Sequence, residues 1–350
     1  DPRLIYTVAP AVAKAAMESG VAQHKIENMD SYVQELINRL GLDNKLIRNL
    51  TNKAKQNPKR VVFAEADHYD KEKIKKLIAE NNLDLSDIPI IDPRTAEEED
   101  RRNNFGDIFF KKRQRRGVTG YEARKLMTER NHYGAMMVET GAADAMISGL
   151  TRKYADPIRP ALQIIGVQEN VRRVAGMYIM NTKQGPYFFA DTTMNVNPSV
   201  QELVDITVLT ANSVKQFNII PRIALLSFSN FGSVDGEVPN KVKDAVDILH
   251  KNYPGMIVDG DMQANFALNN ELLEEQFPFS DLVDKKVNTL IFPNLASGNI
   301  AYKLLQEMGA AEAIGPVLIG LKKPVHVLQL GSSVREIVNM VTIAVVDAQS

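Results

Sequence analysis

Three observations predict an α/β fold in two domains. Short apolar, β-branched runs alternate with helical patterns along most of the chain, which implies helices layered on mostly parallel sheets. The 350 residues, 44% of them hydrophobic, exceed what one core usually organises, because single cores stop growing near about 250–300 residues. There is no cysteine, so burial has to hold the fold without disulfides or thiolate metal sites. The charges nearly cancel: 42 basic against 43 acidic residues leave a net charge of −1. That balance argues against a bulk nucleic-acid or membrane-surface role and leaves only local basic patches open. The apolar runs fall far short of a membrane span, no signal-peptide pattern is visible, and the expected location is the cytoplasm.

The elements follow in order. The opening "DPRLIYTVAPAVAKAAMESGVA" carries an Ala-rich amphipathic stretch from Val8 to Met17 that stops at Gly20, a helix C-terminal signal. It begins abruptly and without an initiator Met, as the last helix of an earlier domain would, so the chain is expected to be a piece of something longer. A polar connector and a short helix from Ser31 come next. "RVVFAEA" (60–66) and "IPIID" (88–92) read as strands around a helix at 70–82. "RTAEEEDRRNN" (94–104) reads as a solvated helix face, "AMISG" (145–149) as a strand and "RPALQIIGV" (159–167) as a buried helix. "RVAGMYIMNTKQGPYFFAD" (173–191) reads as two strands around a Lys-Gln-Gly turn. After Pro198 a long helix starts at a Ser199 cap with Glu202 at the capping-box position. "RIALLSFS" (222–229), "MIVDG" (256–260) and "TLIFPNL" (289–295) repeat a strand-then-loop pattern. "VHVLQLGSSVREIV" (325–338) closes the series as a buried strand, a tight turn and a helix start.

Ligands of such sheets sit beyond the carboxyl ends of the strands, so the loops after "AMIS", "LLSFS", "LIFPNL" and "HVLQL" are the candidate site. The first offers Ser148 and Gly149, then Arg152, Lys153 and Arg159; arginine suits phosphate because its planar fork can meet two oxygens, and a solvated loop fits the same residues. The hydroxyls and glycines of "SFSNFGSVDG" suit an anion or an ordinary turn. Ser297 and Asn299 lie at a helix start, a ready anion site that many α/β proteins leave empty. "KKRQRRG" (111–117) holds five cations in seven residues, suited to a polyphosphate tail or to plain solvation. The histidines (His24, His68, His132, His250, His326) show no metal-ligand spacing, and no P-loop or strand-linked G-x-G-x-x-G occurs. At the last turn Gln329 and Leu330 are uncharged, and Ser333 with Glu336 fits the capping box S-x-x-E. Composition and spacing stop at a two-domain α/β protein with an anion-binding cleft.

Taken together, "DAMISGLTRKYADPIRPALQII", "PRIALLSFSNFGS", "DGDMQANFALN", "LIFPNLASGNIAYKLLQ" and "GPVLIGLKKPV" resemble the phosphate acetyl/butyryltransferase family, in family order over residues 60–350. The first 22 residues resemble the end of the NAD(P)-binding domain of malic enzymes. The combination resembles the large bacterial NADP-dependent malic enzymes, which carry a phosphotransacetylase-like domain at the C-terminus. The resemblance implies two α/β/α three-layer domains with a cleft between them, phosphotransacetylase-like and of the isocitrate/isopropylmalate dehydrogenase type. It implies a remnant at 1–24, a first domain at 25–169 plus 322–350, and a second at 170–321. It assigns acetyl-CoA to Arg113, Ser148, Arg159, Ser297 and Asn299, with no metal in this part. NADP and a divalent Mg or Mn would serve the malic-enzyme part, which converts malate and NADP to pyruvate, CO₂ and NADPH. That part in the same chain, a homodimer through this domain and a larger homo-oligomer are the implied partners.

The departures from that pattern bear on chemistry. Active relatives carry a Ser-Arg pair where Gln329 and Leu330 stand, an aspartate at Glu336, an arginine at Glu307, a lysine at Phe231 and a loop serine at Tyr154. A single preorganised charge-stabilising donor is typically worth about 10²–10³ in rate. With Leu330, Glu307 and Phe231 in place of cations, no transferase activity is expected, and no residue is assigned a catalytic role. Glu336 is read as a helix cap, with a residual acid–base role as the other reading. The expectation is a non-catalytic acetyl-CoA-binding regulatory and oligomerisation domain; an active phosphate acetyltransferase and a purely structural dimerisation module are the alternatives.

Overall fold

The computed structural model describes residues 3–22, 24–39, 45–64, 91–151 and 153–350, in two compact units, Asp1–Asn52 and Lys53–Ser350. The expected helix at 70–82 and most of the expected strand at 88–92 lie outside the described residues. Asp92 is in a turn, its carboxylate accepting from the backbone N–H and guanidinium of Arg94. Among the described residues no helix is long and apolar enough to cross a membrane.

In the first unit, α1 (Arg3–Glu18) packs on α2 (Met29–Arg39). Gly20, at φ +75°, lets the chain leave α1 in the left-handed conformation that glycine adopts without strain. The second helix starts two residues ahead of the expected Ser31, because Asn28 caps it by accepting from the Ser31 N–H at 2.9 Å. A third helix, α3 (Lys45–Gln56), leads into the second unit.

The second unit holds two sheets. The smaller has three parallel strands, β1 (Val61–Phe63), β2 (Ala145–Ser148) and β9 (Val325–Val327), with β2 central. Residues of β2 alternate between two cores: Met146 joins Phe109, Met136 and Ile164 on one face, while Ala145 and Ile147 meet Met340 and Ala344 on the other. This period-2 alternation places the helices α4 (Glu99–Arg113), α5 (Gly120–Leu126), α6 (Arg130–Glu139) and α7 (Ala155–Ile164) opposite α13 (Val334–Asp347). The acidic stretch expected as a solvated helix face starts α4, and its later turns bury Phe105 and Phe109.

The larger sheet has six strands in the order β6-β5-β7-β4-β3-β8. They are β3 (Ala175–Thr182), β4 (Gly185–Ala190), β5 (Arg222–Leu226), β6 (Ile257–Met262), β7 (Thr289–Ile291) and β8 (Glu312–Ile319). The hairpin β3–β4 turns where Lys-Gln-Gly was read, and β3 also pairs antiparallel with β8, which sequence reading did not place. The remaining neighbours, β6-β5, β5-β7 and β7-β4, are parallel. Around them lie α8 (Val200–Gln216), α9 (Glu237–Asn252), α10 (Ala264–Leu268), α11 (Asn270–Gln276) and α12 (Leu295–Glu307). The capping box at Ser199 and Glu202 forms as read.

Candidate functional site

The carboxyl end of the small sheet is built by two short connections. Strand β2 ends at Ser148 and Gly149, and the Leu328 N–H donates to the Ser148 carbonyl at 2.7 Å just past β9. Gly149 is required here: its φ is +100°, and a Cβ would lie 2.3 Å from the Leu328 carbonyl oxygen. Ser148 is buried, and its hydroxyl donates to Asn131 Oδ1 at 2.7 Å.

Past Leu328 the chain makes the turn Gln329–Ser333. The Ser332 N–H donates to the Gln329 carbonyl, and the Gln329 N–H returns to Ser332 Oγ. Ser333 then caps α13. Its hydroxyl accepts from the Glu336 N–H at 3.3 Å, and Glu336 Oε2 accepts from the Ser333 N–H at 2.6 Å. Glu336 is therefore a helix cap, the first of its two readings. Leu330 is 64% exposed at the tip of this turn.

Gln329 reaches the other sheet. Its Nε2 donates to the hydroxyl of Tyr178 on β3, and the Tyr178 ring stacks on Tyr302 of α12 at 4.0 Å and 16°. Burial, then the hydrogen bond to Tyr302, push the Tyr178 phenol well above its ordinary value. Nearby, the hydroxyls of Tyr154 and Thr193 lie 3.4 Å apart, and burial raises the Tyr154 phenol as well. Arg335 on α13 pairs with Glu312 on β8 through Nε and Nη2, each at 3.1 Å from a carboxylate oxygen. The Gln329–Tyr178 hydrogen bond and the Arg335–Glu312 ion pair thus join the turn after β9 and α13 to the larger sheet.

Beside them is a buried acid that sequence reading missed. Asp191 follows β4 and is 2% exposed. Its carboxylate accepts from the N–H groups of Gly176, Thr193, Met194 and Asn195 and from the Asn195 side chain. Burial pushes its pKa up, while these donors favour the charged form. The only signal in the sequence was an Asp at the end of the apolar run "YFFAD".

The other candidate residues are distributed around this centre. Asn299 donates from Nδ2 to the Thr192 carbonyl at 3.1 Å. Ser297 Oγ donates to the Asn294 carbonyl, so the start of α12 is occupied with its own capping. Glu307 is exposed at the opposite end of α12. Arg159 is exposed on α7 and adds its charge to the burial that lowers the pKa of His132. Arg113 closes α4 with an enclosed Nε that has no hydrogen-bond partner among the described residues. In the basic run, Lys112 is committed to Glu139 at 2.6 Å, and Arg152 lies outside the described residues. Phe231, at φ +47°, packs its ring against Phe277 and Phe279, each 4.9 Å away.

The profile described as phosphate acetyl/butaryl transferase matches residues 68–345. The chain belongs to that family. It is 35% identical to the phosphate acetyltransferase of Clostridium acetobutylicum over 87% of this chain and 98% of that protein. It is also 36% identical, over its whole length, to the NADP-dependent malic enzyme of Escherichia coli K12, of which it covers 49%. The similarity is to the C-terminal half of such enzymes, and the chain spans about half the length of the malic enzymes it matches. Among solved structures, a phosphotransacetylase from Streptococcus pyogenes superposes with a TM-score of 0.78 at 34% identity, covering 88% of this chain and 99% of that one. The α/β fold is that of the phosphotransacetylases.

Proposed function

We propose that this transferase-family chain is a non-catalytic acetyl-CoA-binding regulatory and oligomerisation part of an NADP-dependent malic enzyme. The observation that carries this reading is the turn after β9. At the place where strand ends of an α/β protein hold ligands, it offers an exposed Leu330, a Gln329 amide already bonded to Tyr178, and a Glu336 engaged in capping. A neutral, self-satisfied turn supplies no charge to a phosphoryl group, whereas the tyrosines and amides around it suit an uncharged acyl group. Arg113 and Arg159 would hold the phosphates of the CoA moiety, with Ser148, Ser297 and Asn299 lining its path. From residue 25 onward the chain would divide into domains at 25–169 plus 322–350 and 170–321, one per sheet, with the ligand between them. NADP and a divalent metal would be held by the rest of the longer protein.

A regulatory site must bind its effector differently in two states of the whole enzyme, typically by about 1–3 kcal/mol. Calorimetry with acetyl-CoA, paired with an assay for acetyl phosphate formation, tests the reading. Binding without turnover is expected, and Arg159→Ala should weaken binding about ten-fold or more through loss of a charge-assisted bond. Turnover near 10 s⁻¹, ordinary for enzymes, would replace the proposal with the transferase activity named for the Clostridium relative. Absence of binding would leave a structural module.

A further inference from the structure

At the end of the small sheet remote from Gln329, where β2 and β9 begin, lies a cavity of about 410 Å³. No residue of the candidate site lines it. Its volume falls in the range of small-molecule sites, roughly 300–1,000 Å³, and four segments converge on it: the last turn of α8, the 318–324 stretch, the approach to β2 and the end of α13.

Several lining groups are already used. Asp144 is held by the Arg60 guanidinium, and Lys323 Nζ donates to the carbonyls of Val138 and Glu139. Others are free: among the described residues, the side chains of Lys322, Asn212, Ser213 and Gln216 make no hydrogen bond or ion pair. Ser213 is the informative one. The neighbouring buried hydroxyls of α8, Thr207 and Thr210, each donate back to the helix carbonyl four residues earlier at 2.7 Å. Ser213 is 7% exposed and does not, so its hydroxyl is left for whatever enters the cavity. Facing the cavity, that hydroxyl can donate to or accept from a polar ligand.

The charges narrow the ligand. Among the described residues, one carboxylate held by no lysine or arginine, Asp347, and one ammonium without an ion-pair partner, Lys322, face the cavity, so a polyanion or a metal ion would bring uncompensated charge into it. An apolar ligand would strand Asn212, Ser213 and Gln216. Asp347 has a second role: its Oδ2 is 3.2 Å from Nε2 of His326, a fully buried ring on β9 whose nitrogens make no hydrogen bond of good geometry among the described residues.

We infer that this cavity is a second small-molecule site, for a zwitterion with a neutral amide end, of the size of free L-glutamine. Asp347 takes the ammonium, Lys322 the carboxylate, and Asn212, Ser213 and Gln216 the amide. Occupancy draws on the carboxylate beside His326, three residues ahead of Gln329, so the buried ring reports it.

The test is a titration of the ¹⁵N-histidine-labelled chain with L-glutamine, followed by NMR, with glutaramate, which lacks the ammonium, as control. L-glutamine should shift the His326 ring signal and leave those of His24 and His250 in place. Lys322→Ala, on an exposed turn, and Asp347→Asn should each weaken the response about ten-fold or more, and Ser213→Ala should weaken it less. An unmoved His326 signal at about 10 mM ligand, an equal response to glutaramate, or full affinity in both charge variants would each overturn the assignment.

Discussion

Two strand ends in this protein treat their polar groups in opposite ways. After β4 the chain buries Asp191 and surrounds it with four backbone N–H donors and an amide from a neighbouring turn. After β9 it makes a turn with an exposed Leu330 and one side-chain bond across to Tyr178. Both places lie at the carboxyl ends of strands that have a parallel neighbour, β7 beside β4 and β2 beside β9. Only the second leaves groups that can change without unfolding anything. Position at a strand end therefore does not identify a site; whether the polar groups there are already spent does. Asp191 is scaffold by this criterion, and the β9 turn is where chemistry can be gained or lost.

Variants can break that distinction, the largest effect coming first. Asp191→Ala would leave buried N–H groups unpaired at about 1–3 kcal/mol each, so a loss above about 3 kcal/mol is expected in urea unfolding. A loss comparable to that of an exposed residue would mean that Asp191 is not scaffold. Gly149→Ala comes next. A Cβ at φ +100°, 2.3 Å from the Leu328 carbonyl, forces β2 and β9 apart at their ends, costing about 1–3 kcal/mol by backbone strain alone. Thermal unfolding measures it, and a neutral result would show that the turn adapts freely.

Gln329→Ala should cost least, about 0.5–1.5 kcal/mol for one hydrogen bond. It is best read together with tyrosine titration, since the chain has no tryptophan to mask it. The Tyr178 phenol is raised in the folded state, chiefly by burial, so the folded protein holds this proton more tightly than the unfolded chain does. Its contribution to stability is complete below the ordinary tyrosine pKa of about 10 and is lost as pH rises above it. Tyr178→Phe should therefore flatten the alkaline fall in stability. An unchanged alkaline limb in that variant would remove Tyr178 from the account.

Legibility in the sequence followed the range of the interactions. The capping boxes at Ser199 with Glu202 and at Ser333 with Glu336 were readable because both partners lie within one helical turn. The hairpin at Lys183–Gly185 was readable for the same reason. The antiparallel place of β8 was not, because its partner β3 is more than a hundred residues away and either edge of a strand can accept a neighbour. Likewise nothing in the sequence tied Tyr178 to Gln329, and only the fold shows the two meeting across 151 positions. Asp191 read as a strand end because its donors include Gly176, fifteen residues upstream.

The residues themselves determined the α/β class, the order of most elements, the helix caps and the family resemblance, all of which rest on patterns that neighbours along the chain enforce. The tertiary structure decided which polar groups are spent and which are free. Gln329 is committed to Tyr178, Asp191 to its ring of donors and Lys112 to Glu139, while Ser213, Lys322 and Asp347 face an open cavity. The physical reason is that a hydrogen-bond donor or acceptor is satisfied by whatever packing brings within about 3 Å, and sequence distance sets no limit on that.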